Sequence, residues 1–277
     1  MKEGVDIECD DEGGNTPLHK AALYGQAVST ALLVDAGANT EVVNADLDTP
    51  LHLAVINGHE QTTRELLERN ADLGAQDKEG NTSLHLACLH GYASLAQTLI
   101  SRRADVKSLN TAKATPLHLA TKFGGLDTVK VLLTSPVDID ALDSFGDSPL
   151  HFAVRGGKAE IVRQILMAGA SAMRVNENGD SPVHAACKVG NAEAVTLLLQ
   201  EVSAASLNWK NRQWKTPMHL AAEHHHTDIV KKLIAAGGDI NGQDEVRFTE
   251  SRVQIVKYLY HRMETLPTIW FLDPPRT

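Results

Sequence analysis

The chain has 277 residues, with 26 Lys and Arg against 35 Asp and Glu, a formal net charge of −9 and a pI near 5.8. A balance this acidic argues against nucleic-acid binding, which calls for a basic stripe. No apolar run approaches the ~18 residues of a membrane span, and Met1–Asp6 lacks the apolar core of a signal peptide.

The chain opens on Gly4-Val5-Asp6-Ile7-Glu8, which lies 33 residues before the similar Gly37-Ala38-Asn39-Thr40-Glu41. Residues 1–10 therefore read as the tail of a repeat whose helices are missing. A terminal repeat needs a polar outer face, and the sequence alone shows none here, which favours a longer array cut at Met1. The tetrapeptide Thr16-Pro17-Leu18-His19 then recurs at Thr49, Thr82, Thr115, Ser148 and Ser181 at intervals of 33, and at Thr216 after a further 35. Thr or Ser suits an N-cap, its hydroxyl accepting from an orphaned helix N–H. Proline suits the first helical position, where its missing N–H costs nothing. Six residues after each of the first six histidines stands a glycine (Gly25, Gly58, Gly91, Gly124, Gly157, Gly190), predicting a two-turn helix closed by a left-handed residue. In the seventh copy His225 takes that place. A second helix follows, carrying paired leucines such as Leu32-Leu33 and Leu66-Leu67, and several end at Gly37, Asn70, Gly169 or Gly237. A polar turn such as Gln76-Asp77-Lys78-Glu79-Gly80-Asn81 leads to the next copy.

This pattern, T-P-L-H-x-A at a period of 33, resembles the ankyrin repeat. The resemblance covers roughly residues 4–244 and implies an all-α solenoid of paired antiparallel helices with projecting β-hairpin turns. Seven repeats span 11–43, 44–76, 77–109, 110–142, 143–175, 176–210 and 211–243. Residues 244–266 read as a degenerate capping repeat with a helix at 250–264, and 267–277 as a disordered tail. Repeats two and four carry Leu47 and Lys113 in place of the turn glycine, which predicts altered hairpins. Repeat four closes its second helix with Ser135-Pro136. The stretch 200–215 holds the two-residue insertion, Trp209, and Trp214 in the turn-glycine slot. Repeat four, this insertion and the C-terminal end are the expected weak points of the stack.

Catalytic chemistry finds no foothold. There is no P-loop and no dinucleotide fingerprint, and Ser148 and Ser181 occupy helix-capping slots rather than a nucleophile turn. The seven motif histidines lie ~10 Å of stack apart, while zinc ligands sit ~2 Å from one shared ion. By resemblance each braces its own turn. His224-His225-His226 reads as a solvated helix end, since adjacent helical residues point in different directions. No cofactor or metal is expected. Cys88 and Cys187 lie three repeats apart, too far for a disulfide when packed helices are ~8–10 Å apart. A reducing setting follows: a cytoplasmic monomer, with the nucleus also open.

By resemblance, partner proteins would bind at hairpin tips and the exposed side of the first helices, on a concave face. The candidate contacts are Tyr24, Asp46 and Asp48 in repeats one and two. Repeats three to five supply Lys78, His90, Phe123, Phe145 and Arg155, and repeat seven supplies Arg212, Trp214 and Lys215. The early tips are acidic and the seventh is basic, which would orient a partner or serve only solubility. The aromatics are hot-spot residue types, or fill space left by the lost glycine and the insertion. Two functions follow: a non-catalytic interaction scaffold or adaptor, or the repeat segment of a larger effector such as an ankyrin-repeat channel or signalling protein.

Overall fold

A computed structural model describes residues 6–240. The capping repeat, its helix and the tail expected beyond Asp244 lie outside the described residues. The chain divides into two compact units, Met1–Glu177 and Asn178–Thr277. The first unit holds five helix pairs: α1 (Pro17–Leu23) with α2 (Ala27–Asp35), α3 (Pro50–Ile56) with α4 (Glu60–Glu68), and α5 (Ser83–Leu89) with α6 (Ala93–Ser101). Then come α7 (Pro116–Lys122) with α8 (Leu126–Leu133), and α9 (Pro149–Arg155) with α10 (Ala159–Met167). The second unit holds α11 (Pro182–Val189) with α12 (Ala192–Leu198), a 3-10 turn Ala204–Asn208, and α13 (Pro217–Glu223) with α14 (Thr227–Ala235).

Each first helix starts in the same way. The capping hydroxyl meets the backbone N–H three residues on, and the histidine at that third position reaches back to the capping residue's own N–H. Histidine thus does the work that Glu or Gln performs in the usual capping box. Leu18, Leu51, Leu84, Leu117 and Leu150 are fully buried, and Ala22, Ala54, Ala87, Ala120 and Ala153 beside them keep the first helices close. In the second unit Val183 and Met218 take the leucine position.

The turns differ from expectation in two respects. No β-strand occurs among the described residues. Each turn closes on itself: Asp77 Oδ1 accepts from the N–H groups of Glu79 and Asn81 at 2.9 and 2.7 Å. Successive turns are then joined by single backbone bonds, such as Lys78 N–H to Asp46 O and Thr111 N–H to Glu79 O. One bond per junction makes a stack of turns, not a ladder. Nor are the turns of repeats two and four altered. Leu47, Lys113 and Trp214 take φ of 61°, 54° and 60°, the left-handed conformation that Gly80 holds at 75°. The Asx bonds and the junction bonds hold the turn geometry, and the side chain carries the strain.

Gly124 also departs from its expected role, because it is not left-handed. It is buried, and a Cβ there would lie 2.7 Å from the carbonyl oxygens of both Ala120 and Cys88. Close backbone approach, not turn handedness, requires the glycine. His225 does take the left-handed slot, at φ 60°, and Arg103 at φ 70° ends α6 as Asn70 ends α4.

The insertion is filled by Leu207, which is buried in the 3-10 turn, while Trp209 stays 52% exposed. Trp209 therefore does not serve as filler. Repeat one exposes both polar and apolar side chains, Val28 and Leu32 at 75% and 66% among them. Lys20 stands where α3, α5 and α13 bury Leu53, Leu86 and Leu220, and Ser29 is exposed where Leu95 and Ile161 are buried. Phe152, in the Lys20 position of repeat five, contacts His118 of the preceding repeat, so this is the face toward a preceding repeat.

Candidate partner-binding face

Within each unit the motif histidines form a buried row. At His85, Nδ1 accepts from the Thr82 N–H at 3.2 Å and meets its hydroxyl at 3.0 Å. The backbone N–H can only donate, so Nε2 carries the ring proton and donates to Ala114 O of the next repeat at 3.0 Å. His19, His52 and His118 reach Asp48 O, Ala75 O and Asp147 O in the same way. Each ring therefore braces its own cap and also ties it to the following turn, a link that local spacing could not reveal. Burial lowers the basicity of His19, His52 and His118, and brings His85 down to about 4. Neutral rings saturated by hydrogen bonds have no lone pair left for a metal. Among the described residues no three His, Cys, Asp or Glu side chains converge as ligands would. All three cysteines are free, and burial pushes the Cys88 and Cys187 thiols up, away from reactive thiolates.

Beside the histidines runs a second row, the residue just before each capping Thr or Ser. Here the repeats differ. Asn15 and Asn81 accept from Asn44 and Asn110 Nδ2 of the next turn, at 3.0 and 2.9 Å. Asp147 accepts from Asn176 Nδ2 at 2.8 Å and is gripped in bidentate fashion by Arg155. Burial alone would raise the Asp147 carboxyl, but Arg155 and then Asn176 hold it below the ordinary value. In repeat seven the same pair appears with reversed signs, Lys215 Nζ meeting Glu223 at 2.6 Å. Arg155 and Lys215, both candidate partner contacts, are thus engaged within the chain.

Asp48 is the exception. The next turn presents Asp77 where the turns that follow Asn15, Asn81 and Asp147 present Asn44, Asn110 and Asn176, and the position of Arg155 is held by Ile56. Asp77 is satisfied within its own turn, so it offers Asp48 no donor. Burial, followed by the charges of Asp77, Asp46 and Glu79, pushes the Asp48 carboxyl up to about 6. This carboxylate lines a cleft of about 340 Å³ with Asp46, Asp77, Glu79, Asn81 and His90, walled by Ile56, Leu86 and Leu89. The cleft brings together three of the residues singled out from sequence, Asp46, Asp48 and His90. It adds Asp77, Glu79 and the apolar wall, whose signal in the sequence was the pairing of Asp48 with a carboxylate, Asp77, where Asn15, Asn81 and Asp147 are each followed by an asparagine.

The remaining candidates stand apart. Tyr24 caps α1 and is 67% exposed; Phe123 caps α7 under the Lys122 ammonium, 4.6 Å from the ring centroid. Phe145 lies at a turn tip, 69% exposed, and Lys78 and Arg212 are exposed on theirs. Trp214 is 54% exposed, with the Lys210 ammonium 5.1 Å from its ring centroid. His90 stacks on Tyr92 with centroids 5.7 Å apart.

The repeat period, the histidine caps and the paired helices agree with a family model described as ankyrin repeats (3 copies), which matches residues 1–77, 29–110, 84–176 and 150–244. The chain belongs to the ankyrin-repeat family. No curated protein matches it. Ankyrin repeats are in general protein-interaction modules, and in this ankyrin array the turn tips and first-helix ends are the positions that packing leaves open. No helix among the described residues is long and apolar enough to cross a membrane.

Proposed function

We propose that this ankyrin-repeat chain is a non-catalytic scaffold or adaptor, working in the cytoplasm, that docks partner proteins along its turn tips and first-helix ends. The observation that carries this reading is the exposure of Tyr24, Phe123, Phe145 and Trp214 at those positions. Large aromatic side chains more than half in water add little to the fold, and they are residue types that dominate binding energy once covered. Charge supports the same reading, since acidic tips in repeats two and three and basic ones in repeat seven would orient a partner.

The test is affinity capture from lysate with the parent chain and a Phe123→Ala, Phe145→Ala, Trp214→Ala variant of unchanged circular dichroism. A protein held by the parent and lost by the variant is the expected result. Equal capture by both would remove these aromatics as contacts and overturn the reading.

A further inference from the structure

We infer that the cleft between repeats two and three is a receptor for an arginine side chain of a partner protein, with Asp48 as its principal anchor. This deepens the reading above and rests on it. The chain supplies its own template. In repeat five Arg155 stands eight residues after Asp147 and closes on that carboxylate, while Asn176 completes the other side. Repeat two keeps the carboxylate, Asp48, but has Ile56 and Asp77 in the places of those two donors. What Arg155 fills at Asp147 is open space at Asp48, bounded by Ile56, Leu86 and Leu89. Asp46, Asp48, Asp77 and Glu79 border the cleft with His90, and Asp77 alone of the four is held by bonds within its own turn. Lys78 is exposed on the same turn.

The chemistry selects a guanidinium. Its fork can meet a carboxylate through two parallel bonds, and its weak hydration lets it enter a partly apolar cleft. The apolar walls suit the methylene stem, which buries along such surfaces while the charge stays on the acids. An ammonium would satisfy the charge but not the fork. Completed in this way, the site would have an arginine from the partner on Asp48 as repeat five has its own arginine on Asp147.

The test uses the purified, ¹⁵N-labelled full chain and three peptides, acetyl-Gly-Ser-X-Ser-Gly-amide with X as arginine, lysine or citrulline. With arginine, NMR shifts should centre on residues 46–48, 77–81 and 86–90, the Asp48 carboxyl should titrate lower, and lysine should bind more weakly. Citrulline, which keeps the shape and loses the charge, should weaken binding by about tenfold, the loss of one charge-assisted pair. Asp48→Asn should do the same. Ile56→Arg should block the peptide by installing in repeat two the side chain that repeat five carries. Shifts spread over all acidic residues, or binding unchanged by citrulline, Asp48→Asn or Ile56→Arg, would overturn the arginine site. That outcome would leave the wider scaffold reading to its own test, because the aromatic variant leaves this cleft intact.

Discussion

At the scale of single residues, the motif histidine is a pH-dependent fastener. Protonating Nδ1 would turn an acceptor into a donor facing the capping residue's N–H, so the folded chain resists the proton. The folded pKa of His85, about 4, lies below the unfolded value near 6.5. The unfolded chain then binds more protons between those values, so stability is full above pH 6.5 and falls as the pH drops toward 4. For His85 the loss at pH 5 is about 2 kcal/mol. His19, His52 and His118 shift in the same direction and add to it. Asp48 works against them: its raised pKa contributes stability at low pH that disappears as the pH rises through about 6. Four histidines outweigh one carboxyl, so urea denaturation should show a lower midpoint at pH 5 than at pH 7. A flat profile would mean that the rings are protonated in the fold.

At the scale of the element, turns and caps are held by bonds that tolerate a wrong residue at a cost. Leu47 occupies a left-handed position that costs an L-residue about 1–2 kcal/mol. Leu47→Gly should therefore stabilise by about 1 kcal/mol after the entropy that glycine brings to the unfolded chain, read from the denaturation midpoint. The Asp147 and Lys215 pairs allow a comparison between one buried and one more exposed ion pair. Arg155→Ala should cost about 2 kcal/mol, because it leaves Asp147, 6% exposed, short of its main counter-charge. Lys215→Ala should cost under about 1 kcal/mol, since Glu223 is half in water. Equal losses would show that burial is not what distinguishes the two pairs.

At the scale of the whole molecule, stability is a sum over repeats and the junctions between neighbours. Hydrogen exchange should be slowest in the first helices of repeats three and five, where Leu84 and Leu150 are fully buried and, in repeat three, His85 reaches the next turn. Among the described residues of the second unit, 200–216 should exchange fastest, since Leu207 is the insertion's buried anchor and Trp209 and Trp214 face water. Uniform protection through that stretch would refute this ordering.

The helices, their caps and their leucine core were legible in the sequence because they depend on contacts a few residues apart, repeated seven times. Thr16, Pro17 and Leu18 each act within one turn of helix, and the period of 33 tells which residues share a face. Even the strain at Leu47 and Trp214 was marked by the glycine they replace. The role of Gly124 was not legible, because its constraint is the Cys88 carbonyl, one repeat away in sequence. Nor was the division of candidate contacts into engaged and open ones. Arg155 closes on Asp147, while Asp48 borders an open cleft with Ile56 and further carboxylates. The other part of that difference, Asn176 beside Asp147 but Asp77 beside Asp48, depends on which side chains stacking brings face to face across a junction, and such distances are set by packing rather than by spacing along the chain.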